Sequence, residues 1–309
     1  MSGIRIEDIA FVGFSAPDLE AMRAFMEDFG AVVAREGATQ LYMRGAGSAP
    51  FLHVTEKSSP AFTTLGLRAE TRADLERLAA REGVAVREFD APGGGLHVDL
   101  RDPDGVLVRV VAEQTKVAPL PLPELHGWNW HSEKPRLSRP KRTHRGASHL
   151  ARLGHCVLNV ANFRASEKWY KDRFGFITSD AIEVAPDVAI GAFMRCDRGE
   201  RPTDHHTLFL MQAPSGPGFN HAAFEVVDVD DLQAGHCRLA EAGRQQVWGV
   251  GRHLLGSQVF DYWRDPWGHM LEHWTDGDMF TAADGSRTAS IADLMGVQWG
   301  PSMPHAAMA

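Results

Sequence analysis

Three side chains able to bind a metal, His155, His221 and Glu272, stand far apart in this sequence, at positions that an internal repeat singles out. Two imidazoles and one carboxylate on one face of an octahedron are the donor set of non-haem Fe(II) oxygenases, and they leave three positions open. A catechol would use two of these and O2 the third, so the count suits oxidative ring opening. Each residue also has an ordinary reading. A strand histidine is more often a packed or edge residue than a ligand, and the chain has 15 histidines, which dilutes the signal. Glu272 alone would be an exposed strand carboxylate.

The repeat changes that balance. Phe11 to Leu19 resembles His155 to Phe163 at an offset of 144 residues. Thr64-Leu65-Gly66-Leu67 resembles His221-Ala222-Ala223-Phe224 at an offset of 157, and Asp102-Pro103-Asp104-Gly105 resembles Asp265-Pro266-Trp267-Gly268 at 163. Phe11, Thr64 and Arg109 therefore fall where His155, His221 and Glu272 stand. A duplicated fold with donors in one half has kept its chemistry there. Glu272 also alternates with Met270 and Trp274 on one strand face. An unpaired carboxylate on an apolar face is costly, and a metal would relieve the cost.

The elements that position these residues read as one plan used four times: strand, helix, then several strands, an α+β chain. Asp18 and Asn162 are N-caps, and Gly30 and Gly175 are helix C-terminal glycines. Leu19, Met22, Phe25 and Met26 line one helical face, as do Phe163, Trp169, Tyr170 and Phe174. Further helices are expected near 72–82 and 229–242. Each half closes with an Asp-Pro-X-Gly turn of type I character and a last strand.

The segments Leu153-Gly154-His155-Cys156-Val157-Leu158-Asn159-Val160 and Asn220-His221-Ala222-Ala223-Phe224-Glu225-Val226 resemble type I extradiol ring-cleavage dioxygenases of the vicinal oxygen chelate superfamily. The resemblance covers nearly the whole chain. It implies four βαβββ modules paired into two open barrel-like domains: residues 1–115 without metal, a linker at 116–150, a catalytic domain at 151–276, and a tail at 277–309 that either covers the site or frays. It implies Fe(II), with Mn(II) as the alternative, held by His155, His221 and Glu272, with O2 as co-substrate, a small aromatic diol as substrate, and a homo-oligomer.

Relatives in this family carry a histidine fifteen positions before the second metal histidine, often in an HHT string. His206, within Asp204-His205-His206-Thr207, stands there. They carry a tyrosine ten positions before the glutamate, matched by Tyr262, and a histidine nine positions before that, matched by His253 in Gly251-Arg252-His253. The resemblance makes His206 the acid/base and gives His253 and Tyr262 the task of orienting substrate. Taken alone, His206 reads as a surface histidine beside Asp204, and Tyr262 as a half-buried strand aromatic. His205, Val157, Phe193 and Trp248 are further candidates for substrate contact, with core packing as the other reading for the last three. Two features depart from the family pattern. The stretch 197–202 is inserted and reads as a loop near the site mouth; the polar loop 197–203 and the many arginines favour an anionic or hydroxylated substituent. Leu254-Leu255-Gly256 replaces polar residues that follow the histidine in some members.

Net charge of −8 argues against nucleic acid as a partner. No apolar run approaches the roughly 18 residues of a membrane helix, the first residues lack an apolar signal core, and three cysteines without a CxxC suit a reducing compartment; the expectation is a cytoplasmic protein. Residues 131–146 hold six basic side chains against Glu133; a nucleic-acid or membrane contact is one reading of that run, but the acidic whole favours a solvated linker or an arm for an acidic neighbouring subunit. Two rival functions stand beside ring cleavage: a glyoxalase-type isomerase, which typically takes four metal ligands, and a metal-free small-molecule binding protein, which the first half alone would suit.

Overall fold

The helices start and stop where their sequences direct. Asp18 accepts a hydrogen bond from the Ala21 amide (3.0 Å) to open α1 (Leu19–Phe29), and Gly30 closes it in the left-handed region. Thr71 and Asp74 form a capping box at α2 (Arg72–Glu82). Asn162 opens α3 (Phe163–Phe174), Gly175 closes it, and Asp228 opens α4 (Val229–Glu241). The computed structural model describes residues 3–124 and 127–304.

The first half contributes β1 (Ile6–Ala16), β2 (Val32–Glu36), β3 (Gln40–Arg44), β4 (His53–Lys57), β5 (Ala61–Ala69), β6 (Arg87–Glu88), β7 (Leu96–Arg101) and β8 (Leu107–Ala112), in one sheet ordered β2-β3-β4-β1-β5-β8-β7-β6. The second half repeats this with β9 (Leu150–Asn159), β10 (Ile177–Ala185), β11 (Val188–Arg195), β12 (Thr203–Asp204), β13 (Leu208–Met211), β14 (Gly218–Val226), β15 (Gln245–His253), β16 (Val259–Arg264) and β17 (Met270–Thr275). The tail adds β18 (Met279–Phe280), β19 (Arg287–Ser290), α5 (Ile291–Leu294) and β20 (Val297–Trp299). The second sheet runs β19-β10-β11-β13-β9-β14-β17-β16-β15-β20, with β12 and β18 paired apart from it. The tail thus supplies both edge strands of the second sheet and crosses from one edge to the other. Described residues of the linker before Leu150 form no helix or strand.

The two turns that close the halves are built alike. Asp102 Oδ1 accepts from the amides of Asp104 and Val106, and Asp265 Oδ1 from those of Trp267 and His269. Gly105 and Gly268 take φ of 86° and 93°, which favours glycine.

One hydrophobic core runs through both halves. Phe14 meets Phe219 edge-on at 5.2 Å, and Phe29 stacks on His273 at 3.8 Å. His273 Nε2 donates to the Phe29 carbonyl (2.7 Å). Tyr170 donates to Asp102 (3.0 Å), Arg173 pairs with Glu82, and Arg238 and Arg244 both hold Asp28. Each buried phenylalanine contributes about 2 kcal/mol, so the halves stabilise one another. No helix among the described residues is long and apolar enough to cross a membrane.

Candidate metal centre

Strand register brings the three donors together. His155 on β9 pairs with Ala223 on β14, and Ala223 pairs with Glu272 on β17. Glu272 pairs with Tyr262 on β16, and Tyr262 with Trp248 on β15. These five residues form one row across the sheet. His221 precedes Ala223 by two, so its side chain shares that face. One donor atom from each of His155, His221 and Glu272 lies within 4.8 Å of the others. Glu272 Oε2 stands 3.2 Å from His155 Nε2 and 3.4 Å from His221 Nε2.

Glu272 is 0% exposed, yet neither of its oxygens has a hydrogen-bond partner among the described residues. The imidazoles are close but not aligned as hydrogen-bond donors. Burial by itself would raise this carboxyl; the imidazoles of His155, His221 and His253 outweigh it and hold it well below the usual range. Burial also lowers His155, favouring the neutral imidazole that binds metals. His221 Nδ1 donates to Asn220 Oδ1 (2.8 Å), which leaves Nε2 turned to Glu272. A carboxylate this buried and unpaired costs several kcal/mol, and a divalent cation among the two nitrogens and the carboxylate offsets that cost. The residues fit such an ion.

The other predicted residues gather around this centre. The His206 ring lies 4.0 Å from that of His155 and 4.8 Å from that of Phe193. Burial, with His155 and His205 nearby, pushes the His206 imidazole well below its ordinary range, so it is neutral. His253 Nε2 and the Tyr262 hydroxyl are hydrogen-bonded at 2.9 Å, and burial next to Glu272 raises the Tyr262 phenol well above its usual value. Trp248 stacks on Tyr262, and its Nε1 donates to the Pro301 carbonyl (2.8 Å). Val157 and Phe193 pack with Phe209, Ile291 and Leu294 as one apolar wall, and Trp248 and Phe260 pack with Val297 and Met303 as another.

Two expectations need correction. His205 has no free nitrogen for a substrate: Nε2 is taken by Asp180 Oδ2 (2.6 Å) and Nδ1 by His206 Nδ1 (3.0 Å). The arginines of the inserted loop turn to the first half, where Arg198 donates to the Glu7 carbonyl and Arg201 pairs with Glu70. Their charge is spent on partners that lie too far away in sequence for spacing to reveal. The reading of single residues missed Asp180, Asn220 and the apolar tail residues. Asn220, directly before a ligand, carried a usable signal, and Asp180 carried none.

A second cluster, His144, His149 and Asp231, joins the end of the linker to α4. There Asp231 Oδ1 meets His149 Nδ1 at 2.8 Å while Oδ2 accepts from the His149 and Val227 amides. Its carboxylate is already satisfied, unlike that of Glu272.

The family model described as the Glyoxalase/Bleomycin resistance protein/Dioxygenase superfamily matches residues 152–273. The chain is 30% identical over 311 residues to Metapyrocatechase 2 of Cupriavidus necator, covering 97% of this chain and 91% of that protein. Among solved structures, the Mn(II)-bound glyoxalase of Novosphingobium aromaticivorans matches with a TM-score of 0.79 at 24% identity, covering 99% of this chain and 94% of that one. The homoprotocatechuate 2,3-dioxygenase of Brevibacterium fuscum, in complex with 3,4-dihydroxyphenylacetate, matches with a TM-score of 0.79 at 21% identity over 99% and 92%.

Proposed function

The chain belongs to the extradiol dioxygenases of the glyoxalase/bleomycin resistance protein/dioxygenase superfamily, and on that premise we propose that it opens the ring of a substituted catechol with O2 at a single Fe(II) held by His155, His221 and Glu272. One observation carries the reading: a fully buried carboxylate without hydrogen-bond partners among the described residues, flanked by two imidazole nitrogens. The ion, when bound, supplies Lewis acidity to the diol and redox chemistry for O2. The protein does the rest. His206, neutral and buried, takes a hydroxyl proton from the diol and returns one later. The His253–Tyr262 pair holds a substrate oxygen. The two apolar walls exclude water and grip the ring.

The substituent on that ring is apolar. What supports this is the make-up of both walls, together with the pairing of Arg198 and Arg201 elsewhere. Mn(II) could be held by the same donors, and metal analysis of active protein separates the two. Homo-oligomeric assembly belongs to this reading, supported by Trp130 and Leu137, which stand 62% and 83% exposed on the linker. A reducing, cytoplasmic setting is supported by the free thiols of Cys156, Cys196 and Cys237.

The test is O2 uptake by anaerobically purified, Fe(II)-loaded protein on 3-alkylcatechols, plain catechol and a carboxylated catechol. A yellow ring-opened product in step with O2 consumption, fastest on the alkylcatechols, is expected. Bound metal without O2 uptake on any of them would put the isomerase reading first.

A further inference from the structure

Behind His206 lies a hydrogen-bonded line that ends on a carboxylate. His206 Nδ1 and His205 Nδ1 are 3.0 Å apart, and His205 Nε2 is 2.6 Å from Asp180 Oδ2. All three side chains are buried: Asp180 is 5% exposed, His205 1% and His206 3%. His205 is fixed at every point. Its amide donates to the Asp278 carbonyl (2.9 Å), its carbonyl accepts from Ser179 Oγ (2.6 Å), and the Phe280 ring packs against its own. The tail and the β10 strand therefore hold this imidazole between Asp180 and His206.

With Asp180 ionised and His205 neutral, the chemistry of the atoms sets every hydrogen. A carboxylate only accepts, so His205 carries its hydrogen on Nε2 and donates it to Asp180. A neutral imidazole has one N–H, so His205 Nδ1 is an acceptor. His206 must then donate from Nδ1, and its own Nε2 is left without hydrogen. We propose that Asp180, acting through His205, is a positioning residue that fixes the tautomer of His206, so that Nε2 is the nitrogen that receives the substrate's hydroxyl proton. The transfer breaks the diol O–H bond and forms N–H at Nε2, while Nδ1–H stays donated to His205. The imidazolium so formed is stabilised along the line to Asp180, as a buried aspartate orients a histidine in a hydrolase triad. This rests on the ring-cleavage reading, since that reaction is what gives His206 a proton to take.

The test has two arms on the full chain. Ring-nitrogen NMR of isotope-labelled histidine in Zn(II)-loaded protein, with His206 assigned by difference against His206→Phe, should place the His206 hydrogen on Nδ1. Asp180→Leu, which removes the acceptor at nearly constant volume, should mix the tautomers. In Fe(II)-loaded protein it should lower kcat by roughly 10²-fold, with KM and metal content unchanged. Asp180→Asn retains an acceptor oxygen and should recover about tenfold of that loss. A hydrogen on His206 Nε2 in the unsubstituted protein would overturn the proposal, and so would full kcat in Asp180→Leu. If Asp180→Leu does not fold, the spectrum of the unsubstituted protein decides. Absence of O2 uptake by the unsubstituted protein would instead defeat the ring-cleavage reading, and the NMR arm would still report the tautomer.

Discussion

The two halves lay the same row of side chains across the same strands and fill it with different chemistry. In the second half the row is His155, Ala223, Glu272 and Tyr262; in the first it is Phe11, Gly66, Arg109 and Asp99. Arg109 sits in register where Glu272 sits. Its guanidinium is clasped by both Asp99 oxygens at 2.7 Å and lies over Phe89. Burial works to raise the Asp99 carboxyl, but the hydrogen bonds from Arg109 and His97 overcome it and hold it well below the usual range. Pairing of Val12 with His53, and of Cys156 with Leu208, puts Phe51 in the place of His206. Phe11 and Phe51 meet at 4.8 Å where His155 and His206 meet at 4.0 Å. Phe11 needs Gly66 beneath it, since a Cβ there would come within 2.4 Å of the ring. Each row sets a carboxylate among neutral groups, and each carboxylate needs a cation. The first half carries one covalently in Arg109. The second half has none of its own, and on the proposed reading it takes one from solution.

That contrast can be broken most sharply at its centre. Glu272→Ala should lose bound metal and slow turnover by at least about 10³-fold, because the ligand set falls to two imidazoles. Arg109→Met, at the matching position, should leave metal content and turnover within about twofold. Metal analysis and O2 uptake on both proteins settle the matter, and metal loss in Arg109→Met would mean that the first row is not inert.

A smaller effect is expected when one feature of the first row is copied into the second. His206→Phe places the counterpart of Phe51 beside His155. It should retain the metal and lose about 10²- to 10³-fold in kcat, the usual range for removing a general acid or base. Undiminished turnover would end the assignment of His206 as acid/base.

The smallest effect concerns a histidine that the first half buries without use. His53 is 1% exposed, and neither ring nitrogen has a hydrogen-bond partner among the described residues. Burial lowers its imidazole from 6.5 to about 3. Between those values the unfolded chain binds a proton that the folded chain does not, so stability falls as pH drops from 6.5 towards 3. At pH 5 this amounts to about 2 kcal/mol. His53→Phe should therefore shrink the stability difference between pH 7 and pH 5 by about that amount in denaturant titrations. An unchanged difference would mean that His53 is not held neutral.

Much of this protein is local, and local features are legible in a sequence. The caps Asp18 and Asn162, the closing glycines, the helix at 72–82 and the paired Asp-Pro turns follow from neighbours within a few residues. The candidate metal donors were legible because duplication supplied a control: the same strand position held Phe11 in one copy and His155 in the other. His205 was misjudged because its neighbour His206 faces the centre, and nothing local says that Asp180, on another strand, claims its second nitrogen. The loop arginines were misjudged because Glu7 and Glu70 are brought to them only by packing of the halves. The tail could be read as a cover or a loose end, and only the structure shows its strands pairing at both edges of the second sheet. The sequence determined which residues could bind a metal and move protons, since those are properties of side chains and their spacing. Tertiary structure decided which nitrogen of each imidazole is free and which charges are already paired, since hydrogen bonds across a sheet join residues that no local periodicity relates.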